Sequence, residues 1–229
     1  FKLKTLVSIF VNPKQFNKKS DYRSYPRNTN EDIKQLKKLK INYLYIPKYN
    51  DIYGFKPKKR VFLDKFSKKL CGKFRKGHFE GVLNVVNRFI EIIKPRNIFL
   101  GKKDYQQLYL IKQHIKKRKI ETRIIECKTI RENNGIACSS RNSNLTKNQL
   151  KIASNIFYYL SGLKKKIKKN YNLFNFNKIK KDLIKLGATK IDYLENYNIK
   201  SFKKAKSPKE KFNLFVAYYI KNIRLIDNI

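Results

Sequence analysis

Apolar residues recur along this chain with two different periods. Thr5-Leu6-Val7-Ser8-Ile9-Phe10-Val11 is an almost continuous apolar, β-branched run closed by Asn12-Pro13, the pattern of a strand buried on both faces of a parallel sheet. A helical period follows, because Asn28 or Thr29 can cap a helix with Glu31 and Asp32 in its first turn and Ile33, Leu36 and Leu39 on its apolar face. Residues 41–46 then predict a strand, stopped by Pro47. Val82, Val85, Val86, Phe89, Ile92 and Ile93 fall on one helical stripe that Pro95 ends. Asn97–Gly101 reads as a short strand, and Tyr105, Leu108, Ile111 and Ile115 give the next helix its buried face. Strands alternating with amphipathic helices predict an α/β, doubly wound, Rossmann-like parallel sheet.

Beyond it, residues 122–130 predict another strand, and Asn134-Gly135 supplies a tight turn before Ile136-Ala137-Cys138. After Asn142 the character changes to long helices at 147–168 and 177–186, with strands at 190–193 and 212–220. This is the pattern of a smaller C-terminal α+β domain. The run Lys164-Lys165-Lys166-Ile167-Lys168-Lys169 reads as a solvated helix end.

Charge alters the picture more than length does. Against 16 Asp and Glu stand 56 Lys and Arg, a net charge of +40 over 229 residues, which ordinarily points to nucleic acid or an anionic membrane surface. The lysines are spread over nearly every predicted element, however, and Asn, Ile, Phe and Tyr are abundant too while Trp and Met are absent. These are the residues of A/T-rich codons, so composition bias accounts for the charge and nucleic acid is the less favoured partner. A field this positive would still draw in anionic substrates, less so as salt screens it. Hydrophobic residues at 41% exclude a disordered chain.

Cys71, Cys127 and Cys138 have no metal-ligand spacing, and their odd number argues against a disulfide framework. A reduced, cytoplasmic setting is expected. No run of about 18 apolar residues and no charged-then-apolar leader is visible, so neither a membrane span nor a secretory signal is expected. The lack of Met even at position 1 suggests a fragment or a processed chain.

Several residues could carry chemistry. Gln15 follows the first strand, and its amide can donate to a carboxylate while accepting from hydroxyls, although an exposed loop glutamine is the plainer reading. Gly101-Lys102-Lys103-Asp104 lies between a strand and a helix N-terminus, where free N–H groups and the helix dipole favour phosphate; in a chain this rich in lysine it also suits an ordinary surface turn. Ser139-Ser140-Arg141 offers hydroxyls and a guanidinium fork suited to phosphate oxygens, or else a polar linker. His78 is open to two readings, a general base or a structural donor to nearby backbone, the second favoured. His114, in a lysine-rich helix, reads as solvated.

Four blocks, Phe10-Val11-Asn12-Pro13-Lys14-Gln15-Phe16, Arg75-Lys76-Gly77-His78-Phe79-Glu80-Gly81, Gly101-Lys102-Lys103-Asp104-Tyr105-Gln106-Gln107 and Ser139-Ser140-Arg141-Asn142, in their order and spacing, resemble the pantothenate synthetase family. The resemblance implies the nucleotidyltransferase superfamily of the HIGH type. It implies ATP-dependent condensation of pantoate with beta-alanine through a pantoyl adenylate, releasing AMP and pyrophosphate. It carries over Gln15 and Gln107 as pantoate contacts, Gln15 also as the beta-alanine contact, and Gly101, Lys102, Lys103, Asp104, Ile130, Cys138, Ser139, Ser140 and Arg141 as the ATP site. Lys103, Ser139, Ser140 and Arg141 are the residues expected to act on the phosphates in catalysis. Lys102 stands where the family usually has Glu, Cys138 where it has Leu or Met, and Lys76 where it has Pro.

Mg2+ is expected to be held chiefly by ATP itself, since no cluster of carboxylates appears. The resemblance also implies a homodimer, a nucleotide- and pantoate-binding domain at 1–138 and a C-terminal lid at 139–229. The family opens with a strand and a His-x-Gly-His helix start that this chain does not contain, so the chain as written is expected to be an incomplete, inactive fragment. Two alternatives stand beside this reading. One is another nucleotidyltransferase of the superfamily, lacking the Gln15 and Gln107 pair; the other is a decayed ligase acting as a basic nucleic-acid-binding protein.

Overall fold

A computed structural model of the chain describes residues 3–17, 19–173 and 175–229. In chain order the elements are β1 (Leu6–Ser8), α1 (Lys19–Arg23), α2 (Thr29–Lys38), β2 (Tyr43–Tyr45), α3 (Tyr49–Tyr53), α4 (Leu70–Phe74), α5 (His78–Ile93) and β3 (Asn97–Gly101). They continue with α6 (Tyr105–Lys117), β4 (Arg123–Cys127), α7 (Lys147–Lys169), α8 (Phe176–Lys185), β5 (Lys190–Asn198), β6 (Phe212–Ile220) and β7 (Ile223–Asn228). They fall into two compact units, one of residues 1–64, 75–97 and 110–123, the other of 65–74, 98–109 and 124–229.

In the first unit β1 and β2 pair in parallel, Leu6 opposite Tyr43 and Ser8 opposite Tyr45, with α2 between them in sequence. Helix α5 buries Phe79, Val82, Leu83, Val85 and Ile90, so the expected stripe is corrected: Val82 and Val85 are buried, Val86, Phe89 and Ile93 are half-buried, and Ile92 is exposed. The helix stops at Lys94, whose left-handed backbone caps it just before Pro95. The expectation of a long strand buried on both faces is corrected here: only Leu6–Ser8 pair, and Leu6 is exposed. An apolar run favours a strand, but only a partner strand on each side completes it, and among the described residues β1 pairs with β2 alone.

The second unit is built on an antiparallel sheet in the order β5-β6-β7, with Leu194 opposite Val216 and Ala217 opposite Ile226. Ala153, Ile156 and Leu160 of α7 and Ile179 and Leu183 of α8 close over it, forming one core with Leu194, Val216 and Ile220. Thr146 caps α7 in a reciprocal pairing with Gln149, satisfying N–H groups that the first turn leaves open. The lysine run at the far end of α7 is less uniform than expected. Lys165, Lys166, Lys168 and Lys169 are exposed, but Ile167 is fully buried and Lys164 turns inward to donate to Asn213 Oδ1 at 2.8 Å. Burial, then the nearby Lys168, pushes its ammonium down to about 8.

Candidate active site

Gln15 belongs to the first unit and closes the short helical turn Pro13–Gln15. The turn forms because Asn12 Oδ1 accepts from Lys14 N–H at 3.1 Å while Pro13 fixes the first backbone torsion. Asn12 is 2% exposed, and its Nδ2 donates to the Gly81 carbonyl at 3.1 Å while Tyr53 donates to its Oδ1 at 2.8 Å. Burial pushes the Tyr53 phenol up to about 12, so it stays a donor at neutral pH. Helix α5 comes this close because residue 81 is glycine; a Cβ there would sit 2.8 Å from the Lys14 carbonyl oxygen.

The Gln15 carbonyl is gripped twice, by Arg75 NH2 at 2.9 Å and by His78 Nδ1 at 2.8 Å. A carbonyl oxygen only accepts and a guanidinium only donates, so Nδ1 of His78 carries the hydrogen and its Nε2 faces Arg75 NH1, 3.2 Å away, with a lone pair. His78 therefore holds the Gln15 backbone. The Gln15 side chain is half-buried and hydrogen-bonds to no protein group among the described residues.

The other expected residues lie in the second unit. Gly101 ends β3, and Lys102–Asp104 form a helical turn leading into α6. Lys102 Nζ pairs with Glu126 Oε2 of β4 at 3.0 Å, and Lys103 Nζ lies 3.5 Å from Asp104 Oδ1. Two adjacent glutamines then divide their tasks. Gln106 is buried, accepting from Cys71 N–H at 3.1 Å and donating to the carbonyls of Phe66 and Lys69 at 2.9 and 2.8 Å. Gln107 is half-buried with no hydrogen bond from its side chain to protein among the described residues.

Cys138 N–H donates to the Ile130 carbonyl at 3.0 Å, which brings these two exposed residues side by side in a hairpin. Its turn needs Gly135, whose φ is +83 and whose absent Cβ would meet the Phe157 ring at 2.3 Å. Ser139 follows as the cap of a helical turn, Ser140–Asn144, its Oγ accepting from Arg141 N–H at 3.3 Å. Asn142 locks the turn to the hairpin by donating to Glu132 Oε1 at 2.6 Å and to the Ala137 carbonyl at 3.1 Å.

Strand β7 anchors both pieces. Asn228 Nδ2 donates to the carbonyls of Lys102 and Lys103 at 2.9 and 2.7 Å. Its neighbour Asp227 takes a two-pronged pair from Arg131 of the hairpin at 2.7 and 2.9 Å, the strong fork geometry of guanidinium on carboxylate. Sequence reasoning missed Asn12, Arg75, Arg131, Asp227 and Asn228 as supports. No local pattern marks them, because each acts on backbone or side chains far away in sequence.

His114 corrects an expectation. It is fully buried in the first unit rather than solvated, accepting from Phe62 N–H at Nδ1 (3.0 Å) and donating from Nε2 to Asn87 Oδ1 (3.1 Å). Lys116 and Lys117, next to it in sequence, occupy the exposed face of α6. Desolvation, with a smaller contribution from Arg118, holds its imidazole down at about 4. No helix among the described residues is long and apolar enough to cross a membrane.

Comparison with known proteins agrees along the whole chain. The profile of the pantoate-beta-alanine ligase family matches residues 2–229. A pantothenate synthetase of Francisella tularensis subsp. mediasiatica is 38% identical over 229 residues, covering 97% of this chain and 77% of that protein. The crystal structure of the pantoate-beta-alanine ligase of F. tularensis, complexed with beta-gamma ATP and beta-alanine, superposes with a TM-score of 0.80 at 37% identity, over 99% of this chain and 78% of that one. Pantothenate synthetase from Thermus thermophilus gives a TM-score of 0.89 at 26% identity, over 99% of this chain and 83% of that one.

Proposed function

We propose, because this chain belongs to the pantoate-beta-alanine ligase family, a division of labour among its residues in the ATP-dependent condensation of pantoate with beta-alanine. The fold is the Rossmann-like nucleotidyltransferase fold with a small C-terminal domain, and the activity belongs to pantothenate biosynthesis. In the first step a pantoate carboxylate oxygen bonds to the α-phosphorus of ATP as the bond to the bridging oxygen breaks, and pyrophosphate leaves. In the second, the beta-alanine amine attacks the acyl carbon, AMP departs with the shared oxygen, and the new amide loses a proton.

The observation that carries this assignment of roles is the common anchorage of the two phosphate-facing pieces. Asn228 holds the backbone of Lys102 and Lys103, and Asp227 holds Arg131 of the hairpin that leads to Ser139, Ser140 and Arg141. Lys103, Ser139, Ser140 and Arg141 counter the charge that grows on the phosphates, which such transfers require above all. Ile130 and Cys138 flank the nucleotide, with Gly101, Lys102 and Asp104 shaping its phosphate loop. Gln15 and Gln107 orient pantoate, and Gln15 also meets beta-alanine; the amide of each, unengaged among the described residues and beside a firmly held backbone or a satisfied neighbour, supports this role.

Mg2+ accompanies ATP, where it neutralises phosphate charge. Asp104 and Glu126, the carboxylates beside the phosphate loop, are each within ion-pair distance of a lysine, which supports a metal carried by the triphosphate itself. Residues 139–229 act as a lid to a domain of residues 1–138, a reading supported by the change of sequence character after Asn142. The family also suggests a homodimer working in the cytosol.

The test is exchange of labelled pyrophosphate into ATP. Exchange that requires pantoate but not beta-alanine, and that falls by about a hundredfold in Lys103→Ala, is expected; exchange that proceeds without pantoate would refute the adenylate route.

A further inference from the structure

Two basic tripeptides of the first unit, Lys58-Lys59-Arg60 and Lys117-Arg118-Lys119, line one shallow cleft of about 440 Å3. None of the six forms an ion pair with a carboxylate among the described residues. None belongs to the residues assigned to ATP, pantoate or beta-alanine.

Composition bias scatters lysines over a surface, but it does not fix them in register. Here both tripeptides are pinned to the interior. Lys58 N–H donates to Glu91 Oε1 at 2.9 Å, the Lys59 carbonyl accepts from Asn87 at 3.0 Å, and Phe62 N–H donates to the buried His114 at 3.0 Å. On the other side α6 ends in a tight stop, with Lys119 in the left-handed region (φ 49) and Ile120 N–H returning to the Ile115 carbonyl at 3.0 Å. Lys59 Nζ then donates to the Arg118 carbonyl at 2.9 Å, joining the two segments and countering the negative end of the helix. Arg118 Nε is buried without a hydrogen-bond partner among the described residues. Cations held this close repel one another, and a bound polyanion relieves that repulsion.

We propose that this cleft binds a compact oligophosphate, the chemistry shared by inorganic tripolyphosphate and the phosphate tail of a nucleotide. Six cations exceed what a single monoanion neutralises. The volume matches a small ligand rather than an extended strand. The lining is wholly cationic, with no aromatic ring to stack on a base and no amide to read one, so recognition is by charge and by the guanidinium forks of Arg60 and Arg118.

Isothermal titration of the 229-residue chain with inorganic tripolyphosphate at low salt tests this. The triple variant Lys58→Gln/Arg60→Gln/Lys119→Gln alters exposed side chains only and should weaken binding about tenfold or more. The triple variant Lys165→Gln/Lys168→Gln/Lys169→Gln removes equal charge from exposed positions on α7 and should change it by less than about twofold. ATP and AMP, titrated in parallel, separate a nucleotide source from a free oligophosphate. An unchanged melting midpoint without ligand verifies the fold of each variant. Equal weakening in both triple variants would reduce the effect to net charge and overturn the proposal. So would binding lost only in Lys103→Gln, which would assign the anion to the nucleotide site, or failure of tripolyphosphate to bind where a short single-stranded RNA does.

Discussion

Both histidines of the chain are buried and hydrogen-bonded through both ring nitrogens, and their partners decide what each can do. His78 donates to the Gln15 carbonyl and faces a guanidinium on its other side, so it has no free nitrogen with which to take a substrate proton. It is a positioning residue for Gln15. His78→Ala should raise the pantoate KM about tenfold, the cost of one buried hydrogen bond, while kcat and the shape of the pH-rate profile change little. His78→Asn, able to donate again, should recover part of the loss. Disappearance of a limb of that profile together with a collapse of kcat would instead make the ring a base.

His114 predicts how stability responds to acid. Its imidazole titrates at about 4 in the folded protein and at about 6.5 when unfolded. Between these values the unfolded chain binds more protons, so stability is fully present above about pH 6.5 and is lost as pH falls toward 4. Between pH 7 and pH 4.5 the loss is on the order of 2 kcal/mol. Urea denaturation at pH 7 and pH 4.5 should show this difference for the native chain and a smaller one for His114→Gln, which cannot titrate.

Among the elements, contacts distant in sequence fix the candidate residues within each unit. Helix α5 meets the Pro13–Gln15 turn at Gly81 with no room for a methyl group. Gly81→Ala should push that turn away, leave secondary structure intact by circular dichroism, and lower kcat/KM for pantoate more than for ATP. Asn228→Ala should act in the opposite sense. It removes a donor shared by the Lys102 and Lys103 carbonyls, and steady-state kinetics should show the larger change in the ATP KM, roughly tenfold.

The elements were legible where punctuation bounded them. Strands β3 and β6 match the sequence reading residue for residue, because Pro95, Gly101 and dense apolar runs mark them. Strand β5 runs to Asn198, beyond the expected 193, because Glu195, Asn196 and Asn198 disguise its alternation. Strand β1 is shorter than its apolar run, since pairing depends on a neighbour that local sequence does not reveal.

At the scale of the molecule, the same limit separates what could and could not be read of the site. Gln15, Lys103 and Ser139-Ser140-Arg141 stand in recognisable blocks, and the structure has these on or beside the short turns Pro13–Gln15, Lys102–Asp104 and Ser140–Asn144. Asn228 and Asp227 reach their partners across 125 and 96 residues, and nothing near them announces it. His114 shows the same for burial: Lys116, Lys117 and Lys119 follow it closely and are exposed, while the ring itself is in the core. Net charge, at +40, says nothing of fold and bears instead on solubility and the capture of anions.

The central claim is an ATP-dependent ligation through an adenylate, and it meets its most direct test in AMP release from ATP by protein containing residues 1–229, with pantoate and beta-alanine omitted in turn. The account predicts AMP in step with pantothenate, and only when both acids are present. AMP formed without pantothenate, or ATP cleaved equally well with either acid left out, would contradict it.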